Sequence, residues 1–339
     1  MKLHRNIKIF INYLLGPVLF LWLSWSIYQE ISGQPDIGLA WQHIKSSFRS
    51  PLLLNMVAVI GLMIVNWSVE AWKWKISVSG IQSIPFSTAF RAILSGVSFS
   101  VSTPNRVGEY LGRVLYMEEG NRLKTIAVTI VGSISQLIIT LVMGLAGLIL
   151  LKPAIETGQV VNGLWLQVVI YGVMAALLVL LLFYFRLSWL ANWVDRLPFM
   201  KKFNYLTRAL EDFNTGILIR LLALSFLRYL VFLLQYYLLF VFFDVKISVW
   251  VACWSVSISF LVMAILPTFA IAELGLKGKV ALIFSGLFST NKAGIFFATA
   301  GIWFINLVIP AILGSLMILG IKKFYTGKAD DQISSSLKN

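Results

Sequence analysis

A single cysteine, two histidines and fourteen acidic residues are all the thiol, imidazole and carboxylate side chains that 339 positions hold. One thiol, Cys253, excludes an intrachain disulfide, and His4 and His43 alone make no metal-ligand pattern, so no cofactor is expected. Charge of every kind is scarce: Asp, Glu, Lys and Arg make up 12% of the residues, against roughly a quarter in a soluble domain. The chain has no Gly-rich nucleotide loop, which excludes a nucleotide-driven pump. It also has no paired aspartates suited to Mg²⁺ and no His-based acyltransferase motif, which weighs against sugar and acyl transferases.

What is present is apolar. Hydrophobic residues reach 59%, with 12 Trp and 24 Phe. The runs "QLIITLVMGLAGLILL" (136–151) and "VVIYGVMAALLVLLLFYF" (168–185) carry no charge over most of the length a bilayer crossing needs. The fold class that follows is an all-α polytopic membrane protein. Hydropathy places six spans near 10–28, 51–72, 125–151, 163–185, 220–243 and 293–320. The first is longer than the apolar core of a secretion signal and no small-x-small site follows it, so it is expected to be a retained span. Two further apolar stretches, 86–103 and 247–266, each end at a proline and lead into a segment bearing a glutamate. Each is either an additional span or a re-entrant unit.

Basic residues orient the chain. With both stretches re-entrant, seventeen Lys and Arg fall on the side of the two termini, Lys73 and Lys75 among them. Five, Lys45, Arg49, Lys152, Lys246 and Lys292, fall on the other. That bias predicts cytoplasmic termini. A net charge of +14 then coats the face beside anionic lipid, and no nucleic-acid partner is needed to explain it. The segment "SWLANWVDRLPFMKKF" (188–203) reads as an amphipathic anchor on that face. Residues 1–322 read as a single transmembrane domain and 323–339 as a disordered cytoplasmic tail.

Within the domain a pattern occurs twice. Pro104 is followed by Glu109 and Arg113, and Pro267 by Glu273 and Lys277, the charged pairs standing at i,i+4 in both cases. A serine-rich run precedes each proline, and a span with polar residues precedes each unit: Asn66, Ser68 and Glu70 in one, Arg228 and Gln235 in the other. Repeat one covers about 51–151 and repeat two about 220–320. The six-span topology runs the helix entering the first unit inward and the one entering the second outward, so the repeat is inverted, a design common in transporters. Pro104 and Pro267 are expected to break their helices, with Gly108 beside the first break, and Arg106 to remain free for an anionic ligand. Arg228 and Gln235 are expected to line the cavity.

The stretch "STPNRVGEYLGRVLYMEEG" resembles the Pro-x-x-x-Gly-Glu-x-x-x-Arg signature of the lysylphosphatidylglycerol synthase transmembrane region family, and "ILPTFAIAELGLKGKVAL" resembles that family's second motif. The second motif differs from the family's usual pattern in carrying Thr268, Phe269, Ala270, Ile271 and Ala272 where glycines are common. The resemblance implies a bacterial inner-membrane protein that moves a lipid between leaflets. With only a short polar tail after the last span, the aminoacyltransferase part of longer relatives is not expected. Binding of a membrane lipid with an anionic headgroup is therefore expected at Arg106, Glu109, Arg113, Arg228, Gln235, Glu273 and Lys277.

Other readings stay open on the residues alone. Arg106, Glu109 and Arg113 could form a loop anchored at the interface. Glu70 and Lys73 could belong to an interfacial belt with Trp72, Trp74 and Lys75. The chain could instead be an enzyme, or an accessory subunit of one, acting on a lipid-linked substrate such as a glycosyl carrier. A homo-oligomer or a membrane-enzyme partner is compatible with either.

Overall fold

Apart from isolated positions between 25 and 48, the computed structural model describes residues 50–101, 103, 107–186, 213–266 and 270–318. Nearly all of the first expected span lies outside these residues, as do the anchor 188–203, the tail 323–339, and Pro104, Arg106 and Pro267.

All regular structure among the described residues is helical. Five helices are long and apolar enough to cross a bilayer. They are α1 (Leu53–Val78), α4 (Arg122–Leu150), α6 (Gly163–Phe185), α7 (Thr215–Phe242) and α10, which begins at Lys292 and runs through a π-helical turn at Phe304–Val308 to Ile318. Between them lie α2 (Phe86–Val101), α3 (Gly108–Val114), α5 (Lys152–Thr157), α8 (Val249–Ile265) and α9 (Ala270–Ser285). Five of the six expected spans thus correspond to long helices. The two stretches ending at prolines form the shorter helices α2 and α8, and the chain restarts as α3 and α9 beyond each break.

Helix ends follow local chemistry. The side chain of Asn162 accepts from the Leu164 amide (3.1 Å), Asn214 from Ile217 (2.9 Å), Ser248 from Val251 (3.3 Å) and Asn291 from Gly294 (2.9 Å), so α6, α7, α8 and α10 all begin on a capping residue. Asn291 also donates to the carbonyls of Phe243 (3.0 Å) and Asp244 (3.1 Å), tying the start of α10 to the end of α7. At the first break Thr103 Oγ1 accepts from the Gly108 amide at 2.7 Å, which occupies a leading donor of α3.

Of the readings open for Lys73, burial in the bundle is the one found. Helix α1 runs past its expected end at 72 to Val78, and Lys73 is 2% exposed. Helical period explains this: Asn66, Glu70, Lys73 and Ser77 stand at steps of four, three and four and are buried together, while Trp72 faces out at 53% exposure, with the Lys75 ammonium 5.8 Å from its ring centroid.

The bundle is organised around α1 packed on α7, with α4 against both. Trp74 Nε1 donates to Thr129 Oγ1 (3.0 Å) across α1 and α4, and Tyr229 OH and Ser257 Oγ are 2.8 Å apart across α7 and α8. Helices α2 and α3 fold back on each other closely enough that a Cβ on Gly112 would lie 2.5 Å from Gly96 Cα. Only glycine permits that approach. By contrast α6 leaves Leu164, Trp165, Tyr171 and Leu178 exposed, the surface of a helix whose solvent is hydrocarbon.

A buried charge cluster beside an aromatic cavity

The short helix α3 begins where the chain emerges from its break, and the i,i+4 step places Glu109 and Arg113 on one face. Arg113 Nη2 stands 3.2 Å from Glu109 Oε2, the pairing that the spacing predicts. The same nitrogen stands 3.2 Å from Glu70 Oε1. Glu70 in turn accepts from Lys73 Nζ at 2.8 Å and from Arg228 Nη1 at 3.1 Å, both on Oε2. One carboxylate on α1 therefore holds cations from α1, α3 and α7, and its side chain is 6% exposed. Burying such a group is costly unless it is fully paired, and here charge-assisted bonds reach both of its oxygens.

The cluster continues as a run of amides. Arg228 Nε donates to Asn66 Oδ1 (2.7 Å), Asn66 Nδ2 to Asn306 Oδ1 (3.3 Å), Asn306 Nδ2 to Gln235 Oε1 (3.2 Å), and Gln235 Nε2 to the Val59 carbonyl (2.8 Å). Asn306 sits in the π-helical turn of α10, a local irregularity of the kind that accompanies functional positions in helices. Lys73 extends the network to Ser225 Oγ at 3.4 Å, which lies 2.8 Å from Ser135 Oγ on α4. The guanidinium of Arg228 lies over Trp67 (5.1 Å to the ring centroid) and Phe232 (5.5 Å), an arrangement that stabilises a cation out of water.

Next to this cluster is a cavity of about 550 Å³, walled by α1, α4, α7, α8, α9 and α10. Arg228 lines one part of it and the Glu273–Lys277 pair another, with Nζ 2.6 Å from Oε1 on α9. Trp67, Gln136, Trp303 and Asn306 also contribute to the lining.

Sequence-derived candidates thus separate into three sets. Glu109 and Arg113 join the charge cluster through Glu70: Arg113, 4% exposed, places Nη2 on both carboxylates, while its buried Nε has no hydrogen-bond partner among the described residues. Arg228, Glu273 and Lys277 line the cavity. Gln235, expected there too, is fully buried and committed to Asn306 and the Val59 carbonyl, because its place on α7 turns it toward α1. Gly108 opens α3, where a Cβ would collide with the Phe99 carbonyl. The sequence reading passed over Asn306, Trp67, Gln136 and Trp303 and left Lys73 open. The polar stripe Asn66, Glu70, Lys73, Ser77 on an apolar helix was the signal for Lys73.

A bundle of apolar helices that keeps charge buried beside a cavity between its helices defines a polytopic membrane protein with a polar interior. The chain belongs to the lysylphosphatidylglycerol synthase TM region family, whose model matches residues 10–314. No curated protein matches it.

Proposed function

We propose that the protein is a flippase-like transporter, not an enzyme, and moves an anionic lipid or lipid-linked headgroup between the leaflets of the bacterial inner membrane. The observation that carries this reading is the position of Arg228: one guanidinium joins the buried Glu70 cluster and also lines the cavity. Ionisable groups held inside a bilayer mark pathways for polar cargo. The inverted repeat belongs to the same reading. Two four-helix series, α1 to α4 and α7 to α10, follow the same order of long, short, short and long elements. Close approaches cross between them: a Cβ on Gly144 of α4 would lie 2.5 Å from Leu261 Cβ of α8, and one on Gly314 of α10 would collide with the Leu94 carbonyl of α2. Exchange of conformations between such halves would open the cavity to each side in turn.

Vesicles containing the purified protein and a fluorescent anionic phospholipid test transport. The expected result is loss of lipid from the outer leaflet at a rate well above that of empty vesicles, and near the empty-vesicle rate for Arg228→Ala. Wild-type protein no faster than empty vesicles overturns the reading.

Orientation has its own test. In a Cys253→Ser background, Thr157→Cys is expected to react with a membrane-impermeant maleimide in intact cells, and Gly120→Cys only after permeabilisation. The reverse pattern would place the termini outside.

A further inference from the structure

The lining of the cavity narrows the chemistry of its occupant, and this step rests on the transport reading above. Among the described residues three charged side chains line it: Arg228, Lys277 and Glu273. The one carboxylate is already 2.6 Å from Lys277, and cations exceed it in number. A headgroup bearing an ammonium would therefore find a wall on which cations outnumber carboxylates among the described residues, with Glu273 already engaged. Arg228 engages protein through Nε and Nη1 and makes no further hydrogen bond among the described residues, so Nη2 remains as a donor for an anion.

Neutral groups supply the second half of the pattern. Trp67 Nε1, Trp303 Nε1 and Gln136 Oε1 are buried, and none has a hydrogen-bond partner among the described residues. All three residues line this cavity. A buried polar atom left without a partner carries a desolvation cost that a suitably placed ligand group removes. Two donors and one acceptor on aromatic and amide walls match hydroxyls, which both give and accept, on a ring or short polyol packed against the aromatic rings. The volume of about 550 Å³ lies within the roughly 300–1,000 Å³ range of small-ligand sites.

We infer that the cavity walled by α1, α4, α7, α8, α9 and α10 selects a phosphodiester headgroup carrying a neutral polyol or sugar, and discriminates against both a bare phosphate and an aminoacylated, cationic headgroup. Arg228 takes the phosphate, and Trp67, Trp303 and Gln136 take the hydroxyls.

Native mass spectrometry of the full chain in detergent, with one lipid added at a time, tests this without requiring transport. The probes are phosphatidylinositol and phosphatidylglycerol (polyol phosphodiesters), phosphatidic acid (bare phosphate) and lysyl-phosphatidylglycerol (aminoacylated), with soluble glycerol 3-phosphate as competitor. The two polyol lipids are expected to be retained about tenfold better than either of the others, the size of effect that one or two buried hydrogen bonds confer. Trp67→Phe keeps the ring and removes the N–H, and Gln136→Leu keeps the bulk and removes the acceptor. Each is expected to shrink the preference several-fold while leaving phosphatidic acid retention, which also reports folding, unchanged. Equal retention of phosphatidic acid, strongest retention of lysyl-phosphatidylglycerol, or an unaltered preference in both variants overturns the inference. Displacement by glycerol 3-phosphate at concentrations matching the lipid would assign the site to a soluble polyol phosphate and overturn its lipid part. Selectivity without translocation would defeat the transport reading alone, and translocation without selectivity would defeat this inference alone.

Discussion

Glu70→Gln is expected to be the most damaging single substitution in the cluster, lowering stability by about 3–5 kcal/mol, the range found when a buried ion pair loses one partner. The change is nearly isosteric, so packing around α1 is kept. What is lost is the acceptor charge that Lys73, Arg113 and Arg228 share, whose bonds to it measure 2.8, 3.2 and 3.1 Å. Each cation would stay buried with its compensation reduced, and an amide cannot accept at both ends. Glu109→Gln should be milder, because Glu109 is 22% exposed and Arg113 would still have Glu70.

A second substitution separates charge from shape. Lys73 is held by Glu70 and by a bond of 3.4 Å to Ser225. Converting it to methionine in the Glu70→Gln protein removes the cation with least other support and should recover a substantial part of the loss. Arg113 would keep Glu109, and Arg228 would keep Asn66 and its two aromatic faces. Thermal unfolding in detergent of wild type, Glu70→Gln and the double variant reads these differences. A Glu70→Gln protein that melts with the wild type would show that water, not protein, compensates the cations.

Local spacing made part of this cluster legible in advance. Glu109 and Arg113, like Glu273 and Lys277, are four residues apart and pair as the helix period requires, and the helices α2 and α8 end where prolines stand in the sequence. The hub was less legible because its partners are remote: Arg113 lies 43 residues from Glu70, and Arg228 lies 158. No helical period reports a contact over such distances. Lys73 was left open for a related reason. Its immediate neighbours Trp72, Trp74 and Lys75 have the composition of an interfacial belt, but on a helix adjacent residues face different ways, and Lys73 shares its face with Asn66 and Glu70. Gln235 and Arg228 show the same limit from the other side. Two turns apart on one span, they looked equivalent, yet Gln235 is turned toward α1, where it is held by the Val59 carbonyl and Asn306, while Arg228 reaches the cavity wall. The cavity itself was invisible in sequence, since Trp67, Gln136 and Trp303 have meaning only through what surrounds them.

Removing the cation of the second pair should harm the protein more than removing both its members. Lys277 and Glu273 stand on α9 just after the second break, with side-chain exposures of 21% and 6%. Lys277→Ala leaves a carboxylate that is almost wholly shielded from water without its 2.6 Å partner. The combined change Glu273→Gln and Lys277→Gln leaves two neutral amides that can bond to each other and to water in the cavity. Since a buried charge stripped of its close ion pair costs more than a buried neutral hydrogen-bonding group, the single variant should melt lower than the double by several degrees. Translocation gives the complementary reading. Both variants lose the cation from this part of the cavity, so both should be slow even where the double variant is stable, and stability and transport would then come apart in the double variant alone. If the single and double variants instead melt together, close to the wild type, α9 is solvated at this level and the two charged pairs are alike in spacing only, with no common role in moving a headgroup.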